Sequence, residues 1–115
     1  MYLIKAEALN EINKNPNQEA KDALNAVRHR AGLGNTPADS YADFKKAVLA
    51  ENRVEFAMEG HRWHDLVRIC TLDELKKWIG DAKPGVVPRE ANYLFPIPNN
   101  DITISNGRLT QNTGY

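Results

Sequence analysis

NQEAKDALNAVRHRAG, residues 17–32, carries a helix start, a repeating apolar face and a helix stop in one run. Asn17 is an N-cap residue, whose side-chain oxygen accepts from the free N–H groups of a first helical turn. Ala20, Leu24, Val27 and Ala31 recur at helical spacing, and Gly32 suits the left-handed position that closes a helix. Toward the N-terminus, Asn15-Pro16-Asn17 reads as a turn, and MYLIKAEALNEINKN before it is helical from its first residues. Its expected apolar stripe is Tyr2, Ala6, Leu9 and Asn13, with Leu3, Ala8 and Ile12 beside it. Ala6, Ala8, Ala20, Ala23 and Ala26 are small enough for the two helices to approach closely. Residues 1–32 therefore predict a close-packed helical hairpin, in shape one tetratricopeptide-like unit rather than an array.

Toward the C-terminus, residues 33–39 form a loop, and Ser40 caps a third helix expected to run toward Glu59. Tyr41, Phe44, Ala47 and Val48 make its buried side. Gly60 interrupts the pattern, and a short fourth helix bearing Trp63, Leu66, Val67 and Ile69 follows. Thr71 and Glu74 match the T-x-x-E capping box, so LDELKKWI, ending at residue 79, is a fifth helix. From Gly80 onward the chain carries Pro84, Pro88, Pro96 and Pro98, a density that argues against further helix. Residues 80–115 are expected to be an irregular Pro/Gly-rich strap whose apolar side chains, Tyr93 to Ile97 among them, bury against helices. The fold class is mainly α: a hairpin (1–32), further helices (40–79) and the strap (80–115), in one domain spanning 1–115. No capping residue precedes Tyr2, so the chain is expected to be truncated at its N-terminus.

Composition narrows the function. A chain of 115 residues and 12.9 kDa, 42% apolar, is the size of one domain with a real core. Lys+Arg and Asp+Glu both number 15, so a neutral chain makes a poor autonomous nucleic-acid binder. The single cysteine, Cys70, excludes an internal disulfide and a multi-cysteine zinc site. No run reaches the ~20 apolar residues of a membrane-spanning helix, and no charged-then-apolar leader opens the sequence.

The densest chemistry lies in ENRVEFAMEGHRWHDLVR, residues 51–68. Glu51, Glu55 and Glu59 recur every four residues and share one helix face. One reading takes Glu55, Glu59, His61 and His64 as a metal site, but neither the H-E-x-x-H order nor a repeated Glu-x-x-His pair is present. The stronger reading is a row of carboxylates paired with arginines across packed helices. Cys70 lacks any sign of a base or an oxyanion hole and reads as a small core residue. Arg28-His29-Arg30 ends a helix, where cations complement the dipole. Trp63, Trp78, Tyr93 and Tyr115 are candidates for a sugar-stacking platform, with core packing the default for the two tryptophans. No catalytic set, metal or cofactor is expected.

Three stretches in this order resemble one family: E-x-R-x-E-x-x-x-E-G-x-R-x-x-D-L-x-R from Glu51, L-F-P-I-P from Leu94, and Q-N-x-G-Y from Gln111. The chain looks like the C-terminal portion of the SusD/RagB outer-membrane nutrient-binding lipoproteins of Bacteroidetes. Asn52 stands where the family often has Arg, and Ser105-Asn106-Gly107 where Asn-Pro is usual. The resemblance implies a non-enzymatic protein that binds a glycan or other nutrient and partners a SusC-like TonB-dependent transporter. It implies a surface-exposed lipoprotein of the outer membrane, with the lipid anchor only in a full-length protein. Glu51, Arg53, Glu55, Glu59, Gly60, Arg62, Asp65 and Arg68 would be a structural signature, and no ligand-binding residue is carried over. The alternative is a helical protein–protein interaction module with an apolar groove along Tyr2, Leu9 and Leu24.

Overall fold

The computed structural model describes residues Met1–Tyr115, and helices are its only regular elements. They are α1 (Tyr2–Asn13), α2 (Gln18–Arg30), α3 (Tyr41–Glu55), α4 (Arg62–Ile69), α5 (Leu72–Ala82), a 3-10 helix (Glu90–Tyr93) and α6 (Asn99–Ile104). The mainly α class read from the sequence is the class observed. Two units divide the chain, Met1–Asp65 and Leu66–Tyr115.

In the first unit the punctuation works as written. Asn17 Oδ1 accepts the Ala20 N–H at 2.8 Å, and Ser40 Oγ accepts the Asp43 N–H at 3.1 Å. Each such cap is worth about 1 kcal/mol against alanine. Gly32, at φ 75°, ends α2 with its N–H on the His29 carbonyl, while Leu33 N–H reaches back to Arg28. That double closure is a Schellman motif, and it needs a residue at ease in the left-handed region. α1 packs on both α2 and α3 around Leu3, Ala6, Ala20, Ala23, Leu24, Val27, Phe44 and Val48. Leu24 and Phe44 lose all solvent contact, each contributing roughly 1.5–3 kcal/mol of transfer free energy.

The expected stripe on α1 is only partly the buried one. Leu3, Ala6 and Asn10 face inward, while Tyr2, Ala8, Ile12 and Asn13 are exposed. With apolar residues on both sides of the helix, periodicity alone did not choose between the faces. A polar residue helped decide: Asn10 Nδ2 donates to the Tyr41 carbonyl at 3.1 Å, joining α1 to the first turn of α3. The groove expected along Tyr2, Leu9 and Leu24 does not form, because Leu24 is enclosed in the core.

α3 stops at Glu55, short of the expected Glu59. Phe56 caps it with its N–H on the Asn52 carbonyl, and the Ala57 N–H reaches the Val54 carbonyl. Met58 and Gly60 then take positive φ angles of 71° and 78°, which no helix accommodates.

In the second unit, Thr71 and Glu74 form the reciprocal capping box that opens α5, with Glu74 Oε2 accepting the Thr71 N–H at 2.9 Å. α5 runs through Gly80 to Ala82, so the segment taken as the start of the strap is still helical. Leu66, Cys70, Leu75 and Pro88 are the buried residues of this unit. Tyr93 Oη donates to the Cys70 carbonyl at 2.8 Å, and burial together with the nearby Glu90 raises the Tyr93 pKa above its ordinary value.

The strap differs from expectation in two ways. It contains helix, because the stretch Asn99–Ile104 holds no proline and Pro98 stands at its N-cap, where no N–H is needed. Its apolar groups are also less covered than expected. Tyr93, Ile97 and Ile102 are half-buried, but Val86, Val87, Leu94, Phe95, Ile104 and Leu109 are exposed.

Candidate functional site

The carboxylate row on α3 meets its partners on α2. Arg28 Nη1 donates to Glu51 at 3.1 Å, and Arg30 bonds Glu55. Glu51 and Glu55 stand one turn apart on α3, and Arg28 and Arg30 occupy the last turn of α2. Glu51 is almost wholly enclosed, with its side chain 10% exposed. A carboxylate so placed has lost most of its hydration and needs a hydrogen-bond donor beside it, and Arg28 supplies a charged one. The same guanidinium donates through Nε to the Gly34 carbonyl at 2.9 Å. Asn25 Oδ1 accepts the Thr36 N–H at 2.8 Å, and His29 pairs with Asn35 at 2.7 Å. The last two turns of α2 thus hold the 31–39 loop as well as the α3 carboxylates.

A second polar cluster sits where α1 meets the start of α3. Lys14 Nζ and Tyr41 Oη donate to the two Glu11 oxygens at 2.9 and 2.7 Å. Lys14 also lies 5.2 Å from the centre of the Tyr41 ring. These two donors, Lys14 the stronger, hold the Glu11 carboxyl below its ordinary pKa of 4.5. The Tyr41 hydroxyl is raised in turn, first by its bond to Glu11.

The remaining signature residues occupy the turn after α3 and the helix beyond it. Arg53 is exposed on α3. Glu59 and His61 lie 3.8 Å apart in the turn, where the His61 ring meets Phe56 edge-on at 5.7 Å. Gly60 supplies the positive φ. Arg62 Nη1 donates to the Leu49 carbonyl at 2.9 Å, fastening the start of α4 to the last turns of α3. Asp65 and Arg68 lie on α4, half-buried and exposed respectively, and the Asp65 N–H bonds the His61 carbonyl to open that helix. Glu55, Glu59, His61 and His64 do not converge, and no three His, Cys, Asp or Glu side chains come together as metal ligands would.

In the second unit the two C-terminal motifs meet. Gln111 donates from Nε2 to the Ile97 carbonyl and accepts the Ile97 N–H at Oε1, both at 2.8 Å. Asn112 Nδ2 donates to the Phe95 carbonyl at 2.7 Å. Tyr115 Oη lies 2.9 Å from the Leu94 carbonyl and 3.1 Å from that of Ala91. Gly114, at φ 98°, passes so close to Ala91 that a Cβ there would sit 2.6 Å from the Ala91 methyl. The Q-N-x-G-Y stretch is therefore a clasp over the L-F-P-I-P run. An open cleft of about 500 Å³ lies between the Glu90–Leu94 turn and the Thr110–Gly114 segment. Trp63, Trp78 and Tyr93 are half-buried and Tyr115 is exposed.

Sequence reasoning named the α3 carboxylates but not Arg28 and Arg30 as their partners. The available signal was two arginines on the last turn of the helix that leads, through the 31–39 loop, into α3. It likewise quoted Gln111 and Asn112 without their role; side-chain amides near a proline-rich run, whose backbone lacks ladder partners, were the clue.

The family model for the SusD family matches residues 1–115. "SusD-like protein P2" of Formosa agariphila is 28% identical over 123 residues, covering all of this chain and 24% of that protein. "SusD-like protein P38" of the same organism is 38% identical over 127 residues, covering all of this chain and 23% of it. A SusD superfamily protein from Parabacteroides distasonis superposes with a TM-score of 0.80 at 31% identity, over 99% of this chain and 25% of that one. A SusD homolog from Bacteroides thetaiotaomicron gives a TM-score of 0.74 at 30% identity, with the same coverage. The chain spans about a quarter of the length of these relatives. Matched along its whole length in sequence and fold, it belongs to the SusD family.

Proposed function

We propose that this chain is the C-terminal scaffold of an outer-membrane lipoprotein that captures a glycan or other nutrient and passes it, without chemistry, to a SusC-like TonB-dependent transporter. The observation that carries this reading is the family match over residues 1–115. The geometry agrees with it, since Glu51, Glu55 and Arg62 of the signature bond within the fold. In this reading Glu51, Arg53, Glu55, Glu59, Gly60, Arg62, Asp65 and Arg68 shape the scaffold rather than touch ligand. Residues 1–32, 40–79 and 80–115 are three parts of one domain. No helix is long and apolar enough to cross a membrane; in this reading, by family membership, a lipid carried by the full-length polypeptide is the anchor.

Two measurements test the proposal. A tagged full-length protein, purified from detergent-solubilised outer membranes, is expected to bring down a TonB-dependent β-barrel identifiable by mass spectrometry. Native gels cast with starch, other plant polysaccharides or host glycans are expected to retard that protein by at least one of them. Recovery of the protein alone, with no retardation on any polysaccharide, would count against the uptake role.

A further inference from the structure

Ser105-Asn106-Gly107-Arg108 follows α6 and leads into the Q-N-x-G-Y clasp. The Arg108 N–H bonds the Ser105 carbonyl at 3.3 Å, and Asn106 and Gly107 between them take φ angles of 53° and 77°. Two positive φ angles inside such a loop mark a type I′ turn, for which Asn-Gly is a favoured pair. The turn accounts for the residue types, and it also sets two groups that can react side by side. No other asparagine of the chain precedes a glycine.

Both groups are unencumbered. Asn106 and Gly107 are exposed, and neither the Asn106 carboxamide nor the Gly107 N–H makes a hydrogen bond. The N–H groups on either side, of Asn106 and Arg108, are held by the Thr103 and Ser105 carbonyls. A Cβ on Gly107 would meet nothing within 4 Å, so the approach to its nitrogen is open. Turning over the Asn106–Gly107 peptide plane converts a I′ turn into a II′ turn, which keeps Asn106 at positive φ and moves Gly107 to negative φ. Glycine takes either sign readily. That rotation swings the Gly107 nitrogen toward Cγ of Asn106, and α6 has only six residues with which to resist it.

We propose that Asn106–Gly107 is a site of self-modification, where the side-chain amide is lost through a cyclic imide and an isoaspartyl link loosens the clasp. The Gly107 nitrogen gives up its proton and bonds Asn106 Cγ; the Cγ–Nδ2 bond breaks, and Nδ2 leaves with that proton as ammonia. Water then opens the five-membered imide. Addition at Cγ gives aspartate in a normal peptide, whereas addition at the backbone carbonyl carbon leaves the chain running through Cβ and Cγ. Nothing is oxidised or reduced: one water enters and one ammonia departs.

The isoaspartyl form lengthens the backbone by one carbon inside the turn, roughly 1.5 Å of chain. The Arg108 and Leu109 N–H groups bond Ser105 across that point, at 3.3 and 3.0 Å, and Gln111 bonds Ile97 only two residues further on. Hydrogen bonds weaken steeply once their geometry is displaced, so the modified chain holds Ile97 less firmly. The inference concerns this chain's own covalent chemistry and is independent of the uptake reading.

The test ages the 115-residue chain at mildly alkaline pH and physiological temperature, both folded and in concentrated urea. Its mass should rise by one unit, and fragmentation of the tryptic peptide 90–108 should place the change at Asn106 rather than at Asn92, Asn99 or Asn100. An isoaspartyl methyltransferase should label the product. Folded and unfolded rates should agree within several-fold, because the fold leaves the pair open. Asn106→Gln, whose side chain would have to close a larger ring, should neither gain mass nor accept label. The Ile97 amide should exchange several-fold faster in the labelled species, while Asn106→Asp, which adds the charge without the extra carbon, should match the unaged protein. A mass gain confined to another asparagine, a folded-state rate orders of magnitude below the unfolded one, or unchanged Ile97 protection in the labelled species would each overturn the proposal. None of these three outcomes depends on a variant, so they can be read even if a substitution disturbs folding.

Discussion

The side-chain amide of Gln111 forms two hydrogen bonds with the backbone of Ile97, both at 2.8 Å. It reproduces with one side chain what a neighbouring strand does for an extended segment, satisfying a donor and an acceptor together. Gln111→Ala removes both bonds and is expected to cost about 1–3 kcal/mol. Gln111→Glu keeps the acceptor but sets a carboxylate oxygen against the Ile97 carbonyl, and should be no better tolerated. Hydrogen exchange of the Ile97 amide is the direct readout; unchanged protection in Gln111→Ala would sink this account of the clasp.

Gly114 has both a conformational and a steric reason to be glycine. Alanine there adds strain at φ 98° and a 2.6 Å contact with the Ala91 methyl. A loss of about 1–3 kcal/mol in urea unfolding is expected for Gly114→Ala. Adding Ala91→Gly relieves only the contact, so the double variant should recover part of the loss. Full recovery would show that the backbone angle carries no penalty.

The two α2–α3 ion pairs are unequal. Arg28→Met strands Glu51, whose side chain is 10% exposed, and should cost about 2–3 kcal/mol. Arg30→Met leaves Glu55, 29% exposed, with easier access to water, while Arg30 itself is 65% exposed; the expected loss is below about 1 kcal/mol. Arg28 also carries the Gly34 carbonyl, so its variant should speed proteolysis of the 31–39 loop. Equal losses for the two variants would contradict the ranking.

Acid should act on Glu11. Its folded-state pKa lies below 4.5, so its contribution to stability is fully present above the unfolded value and fades as pH falls through the depressed one. Glu11→Gln is therefore expected to flatten the acid limb of the stability curve below about pH 4.5, leaving its slope near neutrality unchanged. Tyr41→Phe should remove only part of the effect, because Lys14 is the larger cause. An identical acid limb in the wild type and in Glu11→Gln would refute the linkage.

Local signals were legible in the sequence and long-range ones were not. Asn17, Ser40, Gly32 and the Thr71–Glu74 box could be read because each acts within a few residues of itself. The inner face of α1 could not, because Ile4 and Ile12 compete with Leu3 and Leu9 and only packing chooses between them. Arg28 and Glu51 lie 23 positions apart, and nothing local pairs them. The proline-rich segment misled in the other direction: the prolines flank Asn99–Ile104 without entering it, so their density overstated the case against helix. The family resemblance was readable because its motifs are short, and the clasp shows why two of them occur together.

The clasp is built from two carboxamides, a phenol and the backbone groups they bond, with no ion pair among them. The α2–α3 fastening is ionic, with Arg30 open to solvent. Ionic strength therefore separates them: at molar salt the Debye length falls to about 3 Å, and exposed pairs such as Arg30–Glu55 are screened. The Gln111–Ile97 bonds do not register that change. In a briny medium the Leu66–Tyr115 unit keeps its closure intact while the helical unit loses a small part of its own.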